Sequence, residues 1–403
     1  MKILQVDVNY DHSSTGKIVK DLQHELQQLG HDCLALYGRG SPAPGVDAIR
    51  IASPLEVMVH AGLTRVTGLT GYFSPLATSR AKKIIDVYQP DVVHFHEPHG
   101  YYINYENLLR YVNSKGIRLV WTFHCEFGYT GKCGYALDCE RWRTGCGNCP
   151  QLHLYPRSAF FDATAWMFQR KRQLFADLSS LTITTPSEWL SRRARESIAR
   201  SHPVKTIPNP IDNSIFYPRS RSKAALRSLG IDAPIVVITV GSQLMTDLKG
   251  GRLIYELGRS IRRSDVHFLL VGVEPAEAGR VGNVTAIERV NDKNELALLY
   301  SACDLLCLPS QKETFSMVCA ESLACGTPVI GFDSGAPPFV APPEFGRFAP
   351  FPAVAMLADW VENFEETRSG LRSAEDCARF AALNYGRDTV LKEFMSVYES
   401  NFS

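Results

Sequence analysis

The chain lacks any run of about 18 apolar residues, so no segment of it reads as a membrane-spanning helix. Its N-terminus, MKILQVDVNYDHSSTGKIV, reaches polar residues too soon for the apolar core of a secretory signal. It has no surplus of either charge. Its 43 Lys and Arg meet 42 Asp and Glu, a net +1, so the broad basic footprint that holds nucleic acid is missing and no nucleic-acid partner is expected. No short-period repeat occurs, which excludes a solenoid, and no low-complexity tract is present. Without an export signal the expected compartment is the reducing cytosol. There the 11 cysteines read as thiols or metal ligands before disulfides.

What the 403 residues do contain is enough for two or three domains and an alternation of strand and helix patterns. An apolar run at 1–8 is followed by a polar loop at 9–16. Ile18, Val19, Leu22, Leu26 and Leu29 then recur near helical spacing until Gly30. Strand patterns at 33–37, 91–96, 117–123 and 181–184 alternate with helical ones at 80–88, 104–115, 163–178 and 188–198. A stretch with prolines at 203, 208, 210 and 218 reads as a linker. Beyond it strands are expected at 235–240, 267–271, 305–308 and 328–331, and helices at 251–261, 293–301, 316–324 and within 374–400. This predicts an α/β fold of two Rossmann-like domains facing a cleft. The expected units are 1–203, with a cysteine-rich loop at 125–150, then 204–384, then a terminal helix at 385–403 crossing back to the first domain. Ligands of such sheets bind beyond the carboxyl ends of the strands.

The segment Pro309-Ser-Gln-Lys-Glu313-Thr-Phe-Ser-Met-Val-Cys-Ala-Glu321-Ser-Leu-Ala-Cys-Gly326-Thr-Pro328 sets two glutamates eight apart. Glu313 falls in a loop after a strand, Glu321 two turns further on inside the next helix. The helix start near Thr314, Phe315 and Ser316 offers unpaired N–H groups and the positive end of a dipole, a seat for a diphosphate. Two carboxylates there suit the hydroxyls of a sugar and a ribose. The segment resembles the E-x7-E region of family 4 retaining glycosyltransferases of the GT-B fold. Other stretches are similar to the same family: Ile207-Pro-Asn209-Pro210-Ile211-Asp212, Thr185-Pro-Ser187-Glu-Trp189 and Lys249-Gly250. His94-Phe-His96-Glu-Pro-His99-Gly-Tyr-Tyr-Ile-Asn104 and Trp121-Thr-Phe-His124 resemble the sub-group that builds bacterial exopolysaccharides, colanic-acid enzymes included. Three positions depart from the family: Leu244 stands for an arginine, Cys125 for an aspartate and Pro210 for a glycine.

The resemblance implies a hexosyltransferase that takes a UDP- or GDP-hexose and passes the sugar to a lipid-linked oligosaccharide. It implies His124, Glu313 and Lys249 as the catalytic set. Gly16, Lys249, Gly250, Glu313, Thr314, Phe315, Ser316 and Glu321 would bind the donor, and His96, His99 and Asn104 would lie on the acceptor side. No catalytic divalent metal is expected, because Lys249 and the helix end meet the charge of the leaving diphosphate. The protein would be cytoplasmic, with peripheral attachment to the inner face of the membrane. A nucleotide-sugar-binding partner subunit without turnover, or an epimerase or phosphorylase on the same fold, are the alternative readings.

Cys133, Cys139, Cys146 and Cys149 fall within 17 residues, and the Cys146–Cys149 pair has the spacing of a zinc knuckle. A structural zinc on all four is expected, with disulfides or free thiols as the alternative. Three basic clusters (Arg80 with Lys82 and Lys83, Arg170 to Arg172, and Arg192 with Arg193 and Arg195) read as solvated faces or as attraction to anionic lipid. Trp166, Met167 and Phe168 beside the second cluster suggest an interfacial helix if exposed.

Overall fold

The computed structural model describes residues 1–41, 45, 47–219 and 223–400 and divides into two units. The first holds Met1–Ile207 and the C-terminal segment from Leu391. The second is Pro208–Val390. The last three residues of the expected terminal helix lie outside the described residues.

The first unit carries seven parallel strands: β1 (Lys2–Asn9), β2 (Asp32–Arg39), β3 (Ala48–Arg50), β4 (Val92–Phe95), β5 (Arg118–Thr122), β6 (Leu181–Thr185) and β7 (Val204–Thr206). Their order is β3-β2-β1-β4-β5-β6-β7. The central strands are buried on both faces, which is why they read as unbroken apolar runs rather than alternating ones. The second unit carries β8 (Ile235–Val240), β9 (Val266–Val273), β10 (Gly279–Val281), β11 (Val284–Glu288), β12 (Leu305–Leu308), β13 (Val329–Phe332) and β14 (Gly346–Ala349). Here the order is β10-β11-β9-β8-β12-β13-β14, parallel except for the β10–β11 hairpin at one edge. In both sheets the order reverses once, between β1 and β4 and between β8 and β12. A crevice for ligands opens beyond the strand ends at such a point.

Several expected elements shift. The helix after β1 spans Ser13–Gln28, so Gly16 lies in its first turn rather than in the loop before it. The proline-marked linker contains β7, which pairs with β6 at the sheet edge. A helix absent from the sequence reading spans Pro54–Thr67. Ser53 and Glu56 close a reciprocal capping box at its start, and Gly68 ends it in the left-handed conformation. Among the described residues no helix is long and apolar enough to cross a membrane.

The helix Arg387–Glu399 is tied to the first sheet by polar contacts as well as by packing. His94, fully buried on β4, contacts the Tyr398 hydroxyl at 2.7 Å through Nδ1 and the Thr122 hydroxyl at 2.7 Å through Nε2. Arg118 donates to the Tyr398 carbonyl. Burial, followed by repulsion from His124, holds the His94 imidazole down at about 3. Its folded-state value lies below the ordinary 6.5, so the unfolded chain takes the proton first as pH falls. His94 therefore stabilises the fold fully above about pH 6.5 and loses that contribution between about 6.5 and 3, by up to about 1.4 kcal/mol per pH unit. His94→Gln should melt well below the wild type at pH 7.5, and the gap should narrow by pH 4.5. Calorimetric melts showing a gap independent of pH would refute this.

Candidate active site

At the reversal point of the second sheet, the loop after β8 and the loop after β12 meet. Gly250 adopts φ +70, and a Cβ there would lie 2.2 Å from the Pro309 carbonyl oxygen, so only glycine lets the two loops approach. The Gln311 N–H donates to the Leu248 carbonyl at 2.8 Å and fixes the contact. Lys249 Nζ then donates to Glu313 Oε1 at 2.7 Å, a pair only partly open to solvent. The Glu313 backbone is held separately. Its N–H donates to the Ser334 carbonyl, and its carbonyl accepts from Ala336. The Ser334 hydroxyl is buried and has no hydrogen-bond partner.

Glu313 leads through Thr314 and Phe315 to Ser316, whose φ of +85 turns the chain into the helix Met317–Ala324. Phe315 faces the core, edge-on to Tyr385 at 5.6 Å, so it anchors the loop rather than facing a ligand. Glu321, on that helix, accepts from the Tyr300 hydroxyl at 3.3 Å. Leu244 is buried, so no side chain at the family's arginine position reaches toward Lys249 from the solvent side.

The reversal point of the first sheet gathers buried polar groups. His96 contacts His124 Nε2 at 3.0 Å through Nδ1 and Gln5 Oε1 at 3.2 Å through Nε2, and the two imidazoles stack. Both ring nitrogens of His96 are thus engaged within the protein, and it orients His124. Burial holds His124 at about 3, so the ring is neutral at physiological pH. Asp7 on β1, fully buried, accepts from the Glu97 N–H at 3.0 Å and the Asn9 N–H at 3.2 Å. Burial lifts Asp7 to about 7, and burial followed by the Asp7 charge lifts Glu97 to about 8. Gly16 packs against Asn9, where a Cβ would lie 3.1 Å from the carbonyl. Asn104 is a helix cap. Its Oδ1 accepts from Asn107, and its Nδ2 donates to the Tyr72 carbonyl at 2.7 Å, so the amide is anchored at both ends. Glu97, His99 and Cys125 form the one set of three or more His, Cys, Asp or Glu donor atoms within 4.8 Å of one another among the described residues.

Sequence reasoning did not single out Asp7, Glu97, Tyr300 or Ser334. Asp7 carried a usable signal, the one charged residue inside the apolar core of β1. Tyr300 and Ser334 carried none.

The four cysteines of the loop are free thiols with no disulfide. Cys133 donates to Cys149 and holds its thiol down at about 6, and Cys146 accepts from the Gly131 N–H at 3.2 Å. Among the described residues, no three of their sulfurs lie within 4.8 Å of one another. The loop has a core of its own. Glu126, fully buried, accepts from Arg193 Nε at 2.8 Å and from the Tyr129 hydroxyl at 2.8 Å, and Trp142 lies against the guanidinium groups of Arg143 and Arg193.

The basic clusters are largely neutralised. Arg80 pairs with Glu56, Arg170 with Glu106, and Arg192 and Arg195 with Glu188, while Lys171 is buried. Met167 and Phe168 are buried too, while Trp166 is exposed, so of the three apolar residues expected at an interface only Trp166 faces solvent. The exposed apolar surface lies elsewhere. Leu55, Met58, Val59, Leu63 and Val66 form one face of the helix Pro54–Thr67, with Met58 65% exposed. Phe160 and Phe161, also exposed, adjoin the end of that helix, where the Ala159 N–H donates to the Arg65 carbonyl at 2.7 Å.

Two protein families match the chain: Glycosyltransferase Family 4 over residues 15–215 and Glycosyl transferases group 1 over residues 227–383. The Escherichia coli K12 protein WcaC, named for a colanic acid biosynthesis glycosyl transferase, is 26% identical over 424 residues, covering 99% of this chain and 100% of that one. Among solved structures, sucrose-phosphate synthase from Thermosynechococcus elongatus aligns with a TM-score of 0.70 at 18% identity over 98% of each chain. Anabaena Alr3699/HepE, solved in complex with UDP, aligns with a TM-score of 0.66 at 14% identity over 100% of each chain. Since the two matched families account for both units, and the fold is that of GT-B enzymes, the chain belongs to the family 4 glycosyltransferases.

Proposed function

We propose that this enzyme is a retaining hexosyltransferase of polysaccharide assembly, moving a hexose from UDP or GDP to a lipid-linked oligosaccharide. The observation that carries the reading is the Lys249–Glu313 pair at the reversal point of the second sheet. The bond from the anomeric carbon to the diphosphate oxygen breaks, the bond to an acceptor hydroxyl oxygen forms, and the hydroxyl proton leaves with the diphosphate. The growing charge on the diphosphate is met by the Lys249 ammonium and by the N–H groups opening the helix Met317–Ala324, without a divalent metal at that position. Within the second unit, Glu313 and the unpartnered Ser334 hydroxyl are assigned to sugar hydroxyls and Glu321 to the ribose, with Tyr300 orienting it; within the first unit, His124 is assigned as a neutral partner for a sugar hydroxyl. The UDP bound by HepE and the name of WcaC support the donor and the pathway class.

Lys249 carries this duty without an arginine neighbour, so Lys249→Ala should cost transfer about 100-fold and weaken the nucleoside diphosphate by about 2 kcal/mol. The free nucleoside should bind nearly as before. Titration calorimetry with both ligands checks this, and equal losses would remove Lys249 from the phosphate.

The acceptor's lipid calls for a membrane surface, and the stripe of Leu55, Met58, Val59, Leu63 and Val66 with Phe160 and Phe161 is the surface we assign to it. A Leu55→Asp/Met58→Asp variant, changed only at exposed positions, should fold normally and release from phospholipid vesicles in flotation assays. Unchanged flotation would sink the assignment.

A structural zinc is assigned to Cys133, Cys139, Cys146 and Cys149. The low Cys149 thiol and the N–H donated to Cys146 suit thiolates, and Gly145 and Gly147 let the loop close the sulfurs to tetrahedral spacing. Cys149→Ser should lower the zinc content by one equivalent per chain and lower the melting temperature, read by elemental analysis and calorimetry. An unchanged zinc content would leave the four sulfurs as packing only.

A further inference from the structure

The Glu97, His99 and Cys125 cluster lies in the first unit, at the ends of β4 and β5, and serves no step assigned above. We propose that it is a binding site for a zinc-class divalent cation, with three protein ligands and a fourth position left open.

The donor set is one carboxylate oxygen, one imidazole nitrogen and one thiol sulfur, all within 4.8 Å of one another. Tetrahedral bonds of 2.0 to 2.3 Å place ligand atoms about 3.3–3.8 Å apart, so a contraction of about 1 Å closes the site. Mixed nitrogen, oxygen and sulfur ligation selects zinc or cobalt over magnesium or calcium, which take oxygen alone. A Glu and a Cys thiolate together neutralise a divalent ion, so the occupied site carries no net charge into a buried region.

A second, independent observation also points to a ligand. His99 is 6% exposed, yet its Nδ1 has no hydrogen-bond partner. Buried imidazole nitrogens are ordinarily paired, and one left unpaired calls for an explanation. The ring is not loose. It stacks on Phe127 with centroids 4.8 Å apart and an interplanar angle of 19°. Pro98 fixes the backbone between Glu97 and His99, so the two side chains are presented together.

Cys125 is held as firmly. It opens the turn Glu126–Gly128, whose Phe127 carbonyl, with those of Thr130 and Gly131, accepts from the buried ammonium of Lys171. That ammonium is a competing cation: its charge reaches both His99 and Cys125, joining burial in holding the imidazole neutral and, against burial, favouring the Cys125 thiolate, the two forms a metal binds.

Three ligands with an open position differ from the closed four-cysteine set of the loop, and the two sites answer to different substitutions. The proposal concerns binding alone and stands whether or not the chain transfers a hexose.

The test is a Co(II) titration of the metal-stripped full-length protein, followed by its visible spectrum and by equilibrium dialysis. The wild type should bind one equivalent more than Cys125→Ser or His99→Gln, and that equivalent should carry a thiolate-to-cobalt charge-transfer band absent from Cys125→Ser. Glu97→Gln, the mildest change, should weaken the same equivalent at least tenfold while leaving the melting temperature of the stripped protein near the wild-type value. Cys149→Ser should leave this equivalent in place. Equal stoichiometry and spectra in wild type, Cys125→Ser and Glu97→Gln would overturn the proposal. If Cys125→Ser does not fold, Glu97→Gln decides it alone, and unchanged cobalt affinity there counts against the site.

Discussion

The Pro309 carbonyl leaves no room for a side chain at position 250, and much of the second unit's chemistry follows from that one contact. With glycine there, the loop after β8 lies directly on the loop after β12, and a lysine and a glutamate 64 residues apart reach hydrogen-bond distance. Any larger residue would push the loops apart and separate the charges. The pairing also explains why a partly buried carboxylate is tolerated. Glu313 has a cation at 2.7 Å and a backbone tied on both sides to the segment after β13, so its position does not depend on its own side-chain entropy.

The first unit solves a different problem with the same topology. Its reversal point is lined by groups whose burial disfavours charge: His94, His96 and His124 are held well below their ordinary range, and Asp7 and Glu97 are lifted above theirs. Neutral imidazoles cost less to bury than charged ones and keep both a donor and an acceptor available. The second unit differs in kind: its reversal point carries an ammonium paired with a carboxylate beside a helix start.

The central strands and the helices after them were legible in the sequence because burial on both faces leaves continuous apolar runs such as Ile235–Val240, and amphipathic helices repeat at 3.6 residues. Edge elements were not. The strands Val204–Thr206 and Gly279–Val281 have three residues each and no apolar pattern to show. The helix Pro54–Thr67 was missed although Ser53-Pro-Leu-Glu56 spells a capping box, because its exposed apolar stripe masks the usual contrast between faces. Of the site, Glu313, Glu321, Lys249 and His124 stood out through motif resemblance. The long-range partners did not, since Tyr300 meets Glu321 and Ser334 meets Glu313 only through the fold. Phe315 and Asn104, inside the same motifs, also make packing and capping contacts that a motif does not announce.

The cysteine-rich loop, poor in apolar residues, has a small polar core of its own, with Glu126 sealed beneath Arg193, Tyr129 and Trp142. The same pairing removes Arg193 from the surface, and parallel pairings occupy Arg80, Arg170, Arg192 and Arg195. A basic cluster counted in sequence is therefore not a basic patch in space. Charge paired in this way attracts an anionic lipid less than free charge does, which leaves apolar area the larger share of any attraction this unit holds for a bilayer. That area is concentrated on the helix Pro54–Thr67 and the adjoining phenylalanines, so attachment through it should weaken little as salt rises, whereas attachment through free arginines would fall steeply.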